Sequence, residues 1–308
     1  MGCFLGIDGG GSKTRCVVGD ERSILASSES GPSNVVRVGE QKAREAITAA
    51  INSACSEANI SPAQIQTTCI GIAGGARRQI AEPVHRILAS IVAGEILVVG
   101  DMIIAFEAAF GSAPGVIVIA GTGSIAYGRN AAGRTARAGG WGFAISDEGS
   151  AHWIGRTAMS AVMRAHDEGQ APELMKKLLV AWKLETLEQM ILAANGSPPA
   201  DFASLFPAIL AAADSGDAIA RDVLSQAGTE LAHLANTVMT LLFEQNHDVP
   251  VATAGGVFRN AALVRQVFYN ELRLSHLKIV ATEAIVDPVH GALQIARRSA
   301  TAGTIGAH

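Results

Sequence analysis

The stretch Phe4–Thr14, FLGIDGGGSKT, constrains the fold of this chain more than any other feature. A short apolar run leads to Asp8, three consecutive glycines follow, and a second apolar run begins at Cys16. This pattern predicts two buried strands joined by a glycine turn. A turn without Cβ atoms lets backbone N–H groups approach an anion closely, and Asp8 at its mouth is suited to hold Mg²⁺, directly or through water. The competing interpretation is an ordinary tight turn.

The same pattern recurs in the middle of the chain. The apolar run VIVIA ends at Ala120, the turn sequence Gly121–Ser124 follows, and another apolar strand, Ile125–Gly128, comes directly afterwards. A further glycine pair, Gly255-Gly256, lies between a predicted strand and a predicted helix, where it would let an adenosine lie flat against the backbone. The first part of the chain is predicted to run βββαβαβα. The second turn could also offer backbone N–H groups and two hydroxyls to phosphate, and an ordinary hairpin turn is again the alternative.

Composition and charge exclude several classes of function. The 308 residues suffice for one large or two ordinary domains, and the formal net charge of −4 argues against a nucleic-acid surface. No apolar run approaches the length of a membrane span and no signal peptide precedes the first strand, so we expect a cytoplasmic protein without a membrane partner. The four cysteines include no CxxC pair, and three are predicted to be buried free thiols. The eight histidines show no HxH or HExxH spacing, which argues against zinc.

Asp101 is the candidate catalytic residue in the first half. It follows the predicted strand Glu95–Val99 and precedes the predicted helix Ile103–Phe110. Because α/β proteins place functional groups at the carboxyl ends of strands, Asp101 is a candidate general base for phosphoryl transfer, accepting the proton of an attacking hydroxyl. A helix N-cap, a position that Asp favours, is the alternative.

The segment Gly139–Ser150, GGWGFAISDEGS, combines a tryptophan between glycines with two acidic residues. Trp141 offers a flat apolar face of the kind on which sugars stack, and Asp147 and Glu148 can accept hydrogen bonds from sugar hydroxyls. In the alternative interpretation, Ser146 caps the following helix and Glu148 complements its dipole. The segment therefore suggests a carbohydrate ligand.

Taken together, these motifs carry a resemblance to a known family. Their order along the chain is Asp8–Thr14, Gly121–Ser124, Gly140–Gly142, Asp147–Ser150 and Ala254–Val257. The chain thereby resembles the N-acetylglucosamine and glucosamine kinases of the BadF/BadG/BcrA/BcrD ATPase family, within the actin/hexokinase/Hsp70 superfamily. The resemblance implies an α/β fold with two ribonuclease-H-like domains, an actin-like ATPase fold, around a nucleotide cleft. It predicts a first domain of residues 1–114 plus 288–308, and a second of residues 115–287 with a helical insertion.

The resemblance also implies an activity and a set of site residues. The activity is that of an ATP-dependent carbohydrate kinase, which transfers the γ-phosphate to the 6-hydroxyl of N-acetylglucosamine or glucosamine with Mg²⁺ bound. Asp101 would be the catalytic base and Asp8 the metal ligand. The implied sugar-binding residues are Asn34, Thr122, Gly140, Trp141 and Asp147. The implied ATP-binding residues are the turn glycines and their polar neighbours: Gly9, Gly10, Gly11, Ser12, Lys13, Thr14, Gly121, Gly123, Ser124, Gly255 and Gly256.

Two departures bear on alternative functions. Ala120 stands where many superfamily members carry an acidic residue, which leaves Asp8 as the main carboxylate on the magnesium side. The other branch of the family comprises ATPases that activate 2-hydroxyacyl-CoA dehydratases or drive benzoyl-CoA reductases, and these hold an iron–sulfur cluster through cysteines beyond the second phosphate loop. This chain has no cysteine after Cys69, which favours the kinase.

A non-catalytic sugar sensor is a third class, and the presence of the candidate base Asp101 argues against it. The expected partner is an amino-sugar substrate, with no nucleic acid. The sequence leaves open which sugar is preferred and whether the chain forms a homodimer.

Overall fold

The computed structural model describes residues 2–197, 199–244, 247–274, 278–282 and 284–305. The chain forms two compact units, which are described separately below. Unit 1 comprises Met1–Ala113 and Val286–His308, and unit 2 comprises Pro114–Ile285. Each unit contains one five-stranded sheet, so the predicted α/β class is confirmed.

Unit 1 is built from five strands and four α-helices within the described ranges. They are β1 (Cys3–Gly9), β2 (Thr14–Gly19), β3 (Ile24–Ser30), α1 (Val35–Glu57), β4 (Ile65–Ile72), α2 (Arg78–Ala89), β5 (Glu95–Gly100), α3 (Asp101–Phe110) and, from the end of the chain, α11 (Pro288–Ile305). The strand order is β3-β2-β1-β4-β5. β1 to β3 are antiparallel neighbours, whereas β4 and β5 run parallel to β1.

Unit 2 repeats this topology with extra helices. Its elements are β6 (Gly115–Ala120), β7 (Ser124–Arg129), β8 (Thr135–Gly139), α4 (Ala151–Asp167), α5 (Glu173–Ala181), α6 (Leu187–Ala194), α7 (Phe206–Asp214), α8 (Ala218–Leu242), β9 (Asp248–Ala254), α9 (Gly256–Asn260), α10 (Ala262–Leu274) and β10 (Lys278–Ala281). The strand order is β10-β9-β6-β7-β8. Read from β8, this is the order of unit 1, so each unit is a three-stranded meander followed by two parallel strands.

The sheet of unit 1 is covered on both faces because β1 is apolar on both faces. Leu5 and Ile7 are fully buried and pack with α1 and α2. Phe4 points to the opposite face and packs with residues of α3 and α11. Side chains alternate between the faces of a strand, so Asp8 lies on the same face as Phe4, the face covered by α3 and α11.

Several predicted elements differ from the structure in their bounds. The apolar periodicity predicts a helix from Glu40 to Ala58. In the structure α1 begins five residues earlier, at Val35, and is interrupted at Gly39 (φ 81°). β8 and α9 were not predicted at all. The final helix was predicted to end at Arg298 and continues to Ile305. A strand made of Thr, Ala, Arg and Gly has no apolar pattern of its own, and β8 forms because β7 offers it a paired edge.

In the described part of the chain no single helix is long and apolar enough to cross a membrane. One pair, Phe202–Asp214 with Ala218–Leu242, meets the criteria jointly but is bent by 116°.

Candidate functional site

The first glycine loop, Gly9–Thr14, closes the β1–β2 hairpin. Gly9 pairs with Thr14, and inside the turn the N–H of Gly10 donates to the carbonyl of Lys13 at 3.0 Å. A Cβ atom built on Gly10 would lie 2.7 Å from that same carbonyl oxygen. The turn itself therefore requires glycine at position 10, whether or not an anion binds.

Asn34 lies directly beside the first glycine loop. Its N–H donates to the carbonyl of Gly10 at 3.3 Å, and its Oδ1 accepts from the N–H of Val36 at 3.1 Å as the N-cap of α1. The buried hydroxyl of Thr14 donates to the carbonyl of Gly31 at 2.7 Å, which ties the loop to the approach of α1. The loop and the predicted sugar-binding residue Asn34 are therefore one local structure.

Lys13 is predicted to bind phosphate, but the structure pairs it with Glu29. The Nζ–Oε2 distance is 2.7 Å, and about half of each side chain is exposed. An exposed pair of this kind contributes roughly 0–1 kcal/mol, so a phosphate competes easily for the ammonium group.

Asp8 and Asp101 lie at the same carboxyl edge of the unit 1 sheet. Gly9 pairs with Ile72 of β4, and Ile72 pairs with Gly100 of β5, so a single strand separates the two acidic residues along this edge. Burial, the carboxylate of Asp101 and that of Asp287 raise the pKa of Asp8 to about 7, although Arg15 and Lys13 oppose the shift. The edge thus concentrates negative charge.

Asp101 is the first residue of α3, and Gly100 occupies the N-cap position. The alternative interpretation of Asp101 as the helix N-cap is therefore wrong. Its Oδ1 accepts a hydrogen bond from the N–H of Met102 at 2.9 Å, within the first turn, where the helix dipole favours a carboxylate. Burial raises the pKa of Asp101 above its usual range, so this carboxyl holds a proton more readily than an exposed one.

Two residues of this edge were missed by the sequence reasoning. Arg15 pairs with Asp8 across the hairpin and forms an ion pair with Asp287, the residue before α11. A four-residue turn already predicts that Arg15 faces Asp8, so that signal was available. Asp287 is separated from Arg15 by 272 residues, and no local pattern links them.

The second glycine loop, Gly121–Ser124, closes the β6–β7 hairpin, in which Ala120 pairs with Ser124. The N–H of Gly121 donates to the carbonyl of Gly123 at 2.9 Å. The loop carbonyls of Gly121 and Thr122 accept from the N–H groups of Ala151 and His152 at 2.9 and 3.3 Å. A Cβ atom built on Gly121 would have no heavy atom within 4 Å. The protein therefore leaves the space beside Gly121 open.

Asp147 lies against the second glycine loop. Its Oδ2 would be 2.9 Å from a Cβ atom on Gly123, and its Oδ1 is 3.4 Å from the N of Ser124. Asp147 is 8% exposed and has φ 69°, a left-handed conformation that is costly for a residue other than glycine. Such strain at a buried carboxylate points to a functional residue.

Trp141 and Gly140 lie on the turn after β8. Trp141 is 56% exposed, and the guanidinium of Arg137 covers its ring at 4.0 Å from the centroid. Gly140 has φ 69°, and a Cβ atom there would lie 2.7 Å from Cδ1 of Ile125. Local packing alone therefore accounts for glycine at position 140, while Trp141 keeps an accessible surface.

The cap predicted further along this segment is wrong. Ser150, not Ser146, caps α4, accepting from the N–H of Trp153 at 3.1 Å. The hydroxyl of Ser146 donates to Oε2 of Glu148 at 2.8 Å instead.

The third glycine turn lies next to the second loop, since β6 and β9 are parallel neighbours with Ile119 opposite Ala254. Gly255 has φ 100°, and a Cβ atom there would lie 2.3 Å from the carbonyl oxygen of Ala120. Gly256 is different, because its Cβ would meet only Nδ2 of Asn260, at 3.9 Å. Gly255 is thus needed for packing, and Gly256 borders open space.

The structure gathers the predicted residues within each unit. In unit 1, Asp8, the first glycine loop, Asn34 and Asp101 share the carboxyl edge of the sheet. In unit 2, Asp147 lies against Gly123 of the second loop, Gly255 packs on Ala120 directly before that loop, and Gly140 packs on Ile125 directly after it. Among the residues described, no group of three or more His, Cys, Asp or Glu side chains is arranged to hold a metal ion. His276 and His308 lie outside that description.

Comparisons with known proteins agree with this arrangement. An N-acetylmuramic acid/N-acetylglucosamine kinase of Clostridium acetobutylicum is 34% identical over 302 residues, which cover 96% of this chain and 99% of the relative. An N-acetyl-D-glucosamine kinase of Dictyostelium discoideum is 28% identical, with 96% and 98% covered. The solved structure of an N-acetylglucosamine kinase candidate from Chromobacterium violaceum has a TM-score of 0.78 at 26% identity, covering 96% of this chain and 99% of that one.

The resemblance noted in the motifs also extends over the whole chain. The characteristic pattern of one protein family matches residues 5–296, which include all three glycine turns. This chain belongs to the BadF/BadG/BcrA/BcrD ATPase family.

Proposed function

We propose that this protein is an ATP-dependent kinase that transfers the γ-phosphate of ATP to the 6-hydroxyl of an amino sugar, N-acetylglucosamine or glucosamine. The coarser statement, that it is a sugar kinase, rests on relatives that carry this activity and align with almost the whole chain. The choice of hydroxyl and of sugar is the finer part of the proposal.

The observation that carries the proposal is Asp101 at the carboxyl edge of unit 1. Its carboxyl is partly buried, it stands beside Asp8, and within the described residues it forms no ion pair. A general base works best when its pKa lies near the operating pH, and burial raises the pKa of Asp101 in that direction. Asp101 would accept the proton of the sugar hydroxyl as that oxygen attacks phosphorus.

ATP is proposed to bind through the three glycine turns. The first and second glycine loops supply backbone N–H groups for the phosphates, and Gly255 and Gly256 supply a flat surface for the adenosine. The open space at Gly121 and Gly256 supports this assignment, because neither glycine is required by contacts of the protein with itself.

Asp8 fits a magnesium-binding role. Burial and the Asp101 and Asp287 carboxylates raise its pKa to about 7, so a cation beside it would relieve unfavourable charge. Magnesium in nucleotide sites is commonly held by one or two carboxylates together with phosphate oxygens and water, which suits a single well-placed Asp. The bound ion would neutralise charge on the phosphate oxygens.

The proposed sugar-binding residues are Asn34 in unit 1 and Thr122, Gly140, Trp141 and Asp147 in unit 2. Asp147 supports this role through its burial and its strained backbone. Trp141 supports it through the exposed part of its ring. The same residues would orient the reacting hydroxyl, and positioning carries much of the rate enhancement in phosphoryl transfer.

The alternative function is an ATPase that activates a dehydratase or reductase through an iron–sulfur cluster. Such clusters need accessible thiolates. The four cysteines of this chain are free, and burial raises the pKa values of Cys16, Cys55 and Cys69. Thiols held protonated in the core of unit 1 are poor cluster ligands, so the kinase is favoured.

The deciding experiment is a coupled ADP-release assay with Mg-ATP and a panel of acceptors. The panel is glucosamine, N-acetylglucosamine, N-acetylmannosamine and glucose, and NMR of the product reports which oxygen carries the phosphate. ADP release that depends on an amino sugar, with a 6-phosphate product, is the expected result. ATP hydrolysis at the same rate without any sugar would support the alternative and contradict the kinase.

A further inference from the structure

Arg15 and Asp287 form an ion pair beside Asp8, and the proposed function does not use it. Arg15 stands opposite Asp8 in the ladder between β1 and β2. Residues in such a cross-strand pair point to the same face of the sheet, with Cβ atoms about 4.5–5.5 Å apart. The register alone would therefore favour an ion pair between Arg15 and Asp8.

The guanidinium of Arg15 is held by Asp287 instead. Its Nη1 donates to Oδ2 of Asp287, the residue immediately before α11, and the two side chains are 29% and 23% exposed. Within the described part of the chain, Asp8 has no ion-pair partner of its own. The cation that the register places beside Asp8 is thus committed to another carboxylate.

The second oxygen of Asp287 indicates that this ion pair is not built for stability alone. Oδ1 is buried and has no hydrogen-bond partner among the described residues. A buried oxygen without a partner costs stability. A carboxylate that served only to fasten α11 to the hairpin would be expected to use both oxygens, as in a bidentate pair with arginine. The arrangement is explained if the charge of Asp287 matters more than the number of its hydrogen bonds.

We propose that Asp287 is a positioning residue for the magnesium-binding carboxylate: it holds the guanidinium of Arg15 and so leaves Asp8 free for a divalent cation. An ion pair between Arg15 and Asp8 would neutralise the carboxylate and occupy oxygens that the cation needs. In the observed arrangement two carboxylates share one guanidinium, and a cation compensates the negative charge that remains. The inference rests on the proposed function, since it concerns the same Asp8 site.

The test is a double-mutant cycle that reads magnesium binding from ATP. The parent, Asp287→Asn, Arg15→Gln and the double variant are titrated calorimetrically with ATP, in Mg²⁺ and in EDTA, and the ratio of the two affinities measures the contribution of Mg²⁺. Asp287→Asn frees the guanidinium for Asp8 and should lower this ratio about tenfold, the order expected for one charge-assisted hydrogen bond. Arg15→Gln should raise the ratio by no more than about fivefold, and the double variant should return close to the parent.

The cycle separates the proposed role from two simpler explanations. If the ion pair only fastens α11, both single variants lose it and should change the ratio and the thermal midpoint alike. If the two charges act on the cation independently, Arg15→Gln should change the ratio by the same factor in the parent and in the Asp287→Asn background. Either result would overturn the inference, which requires the larger factor in the Asp287→Asn background.

Enzyme kinetics give a second readout. In Asp287→Asn the KM for Mg²⁺ should rise, while kcat at saturating Mg²⁺ stays within about twofold of the parent, because the cation then displaces the guanidinium from Asp8. A large loss of kcat with an unchanged KM for Mg²⁺ would count against the role.

Three further variants serve as controls. Asp287→Glu keeps the charge and should recover most of the ratio. Asp287→Ser removes the charge with a smaller side chain and replaces Asp287→Asn if that protein does not fold. Glu173→Gln removes the acid from an exposed ion pair with Lys176 in unit 2 and should leave the ratio unchanged.

Two results for the parent separate the inference from the proposed function. A parent that binds ATP equally well in Mg²⁺ and in EDTA would overturn the inference, whichever sugar it phosphorylates. A parent that phosphorylates no sugar would contradict the proposed function, and the binding cycle would still decide the role of Asp287.

Discussion

The two glycine hairpins have the same strand–turn–strand pattern, yet their glycines are required for different reasons. In the first loop, a Cβ on Gly10 would lie 2.7 Å from the carbonyl of Lys13, so the turn itself excludes any other residue. In the second loop, a Cβ on Gly121 would meet nothing within 4 Å. Glycine at position 121 is thus unexplained by the contacts of the protein with itself, and that makes it the more informative sign of a ligand.

The two hairpins also obtain their carboxylates differently. The first carries Asp8 in its own strand, next to Asp101 along the sheet edge. The second has Ala120 at the corresponding place, and Asp147 approaches Gly123 from a different segment. Unit 1 therefore concentrates the candidate catalytic carboxylates, and unit 2 supplies an open loop and the aromatic surface. Substitutions of the unit 1 carboxylates are expected to change kcat, whereas substitutions in the second glycine loop are expected to change the affinity for ATP.

Asp101→Asn should produce the largest effect. Asn keeps the size of the side chain and an oxygen that can accept from Met102, but it cannot take a proton from the sugar. Because a general base typically contributes 10²–10⁴-fold, kcat should fall by about that factor while KM for ATP and sugar stays near the parent value. Steady-state kinetics and the thermal midpoint are the measurements.

The matched control for this variant is Asp167→Asn, which makes the same substitution at an exposed acidic residue near the end of α4. It should leave kcat unchanged. An Asp101→Asn protein that retains parental kcat would show that Asp101 is not the general base.

Gly121→Val and Gly10→Val test the contrast between the loops directly. Valine at position 121 has room in the protein, so the thermal midpoint should stay near that of the parent, while the affinity for ATP falls about tenfold or more because the side chain fills the phosphate space. Valine at position 10 collides with the turn and should destabilise the fold by about 1–3 kcal/mol before any effect on ATP is considered.

Isothermal titration with ATP and thermal unfolding separate the two outcomes. Gly121→Ala, with a smaller side chain, should have an intermediate affinity. A Gly121→Val protein that binds ATP like the parent would remove the second loop from the nucleotide site, whatever Gly10→Val does.

In the third glycine turn, the adjacent residues Gly255 and Gly256 should likewise differ in how much a substitution destabilises the fold. Gly255→Ala forces a Cβ to within 2.3 Å of the carbonyl of Ala120 at φ 100°, so it should cost at least about 1–3 kcal/mol of stability. Gly256→Ala meets only the Asn260 amide at 3.9 Å and should fold normally. Denaturant unfolding gives both free energies, and equal stabilities would contradict the close packing of Gly255 on Ala120.

Much of the fold could be predicted from the sequence because its central strands have a clear apolar pattern. The runs FLGI and VIVIA are continuous apolar segments that lie shortly before a glycine turn, and both belong to central strands. Asp8 and Asp101 were found for the same reason, since each stands at a strand end and parallel strands bring such ends to one edge.

The remainder depends on contacts that no local pattern records. Asp287 reaches Arg15 from 272 residues away, and Asp147 reaches Gly123 through a turn with several left-handed residues. The N-cap of α3 could not be assigned because Gly100 and Asp101 are both acceptable caps in sequence. The distinction between Gly10 and Gly121 likewise needed coordinates, because both are simply glycines in a turn.

The two hairpins should also differ in how they make the free energy of unfolding depend on pH. Only the first carries an acid at its mouth, and the pKa of Asp8 is raised from 3.8 to about 7 by burial and by the Asp101 and Asp287 carboxylates. Between these values the folded protein keeps the proton that the unfolded chain has lost, so the folded state binds more protons and stability falls as pH rises. For one proton the slope is at most about 1.4 kcal/mol per pH unit, and partial exposure of Asp8 reduces it. Below pH 3.8 and above about pH 7 the contribution of Asp8 is constant.

Denaturant unfolding of the parent and of Asp8→Asn, in buffer with a chelator that removes magnesium, measures this contribution as a difference between two curves. Other titrating groups largely cancel in that difference, because the two proteins share them. The parent should lose stability relative to Asp8→Asn as pH rises through this window, and Ala120→Asn in the second hairpin should leave the pH dependence of the parent unchanged. If the difference in unfolding free energy between the two proteins does not change with pH from 3.8 to about 7, the pKa of Asp8 is not raised in the folded protein. The first hairpin would then have no more need of a cation than the second.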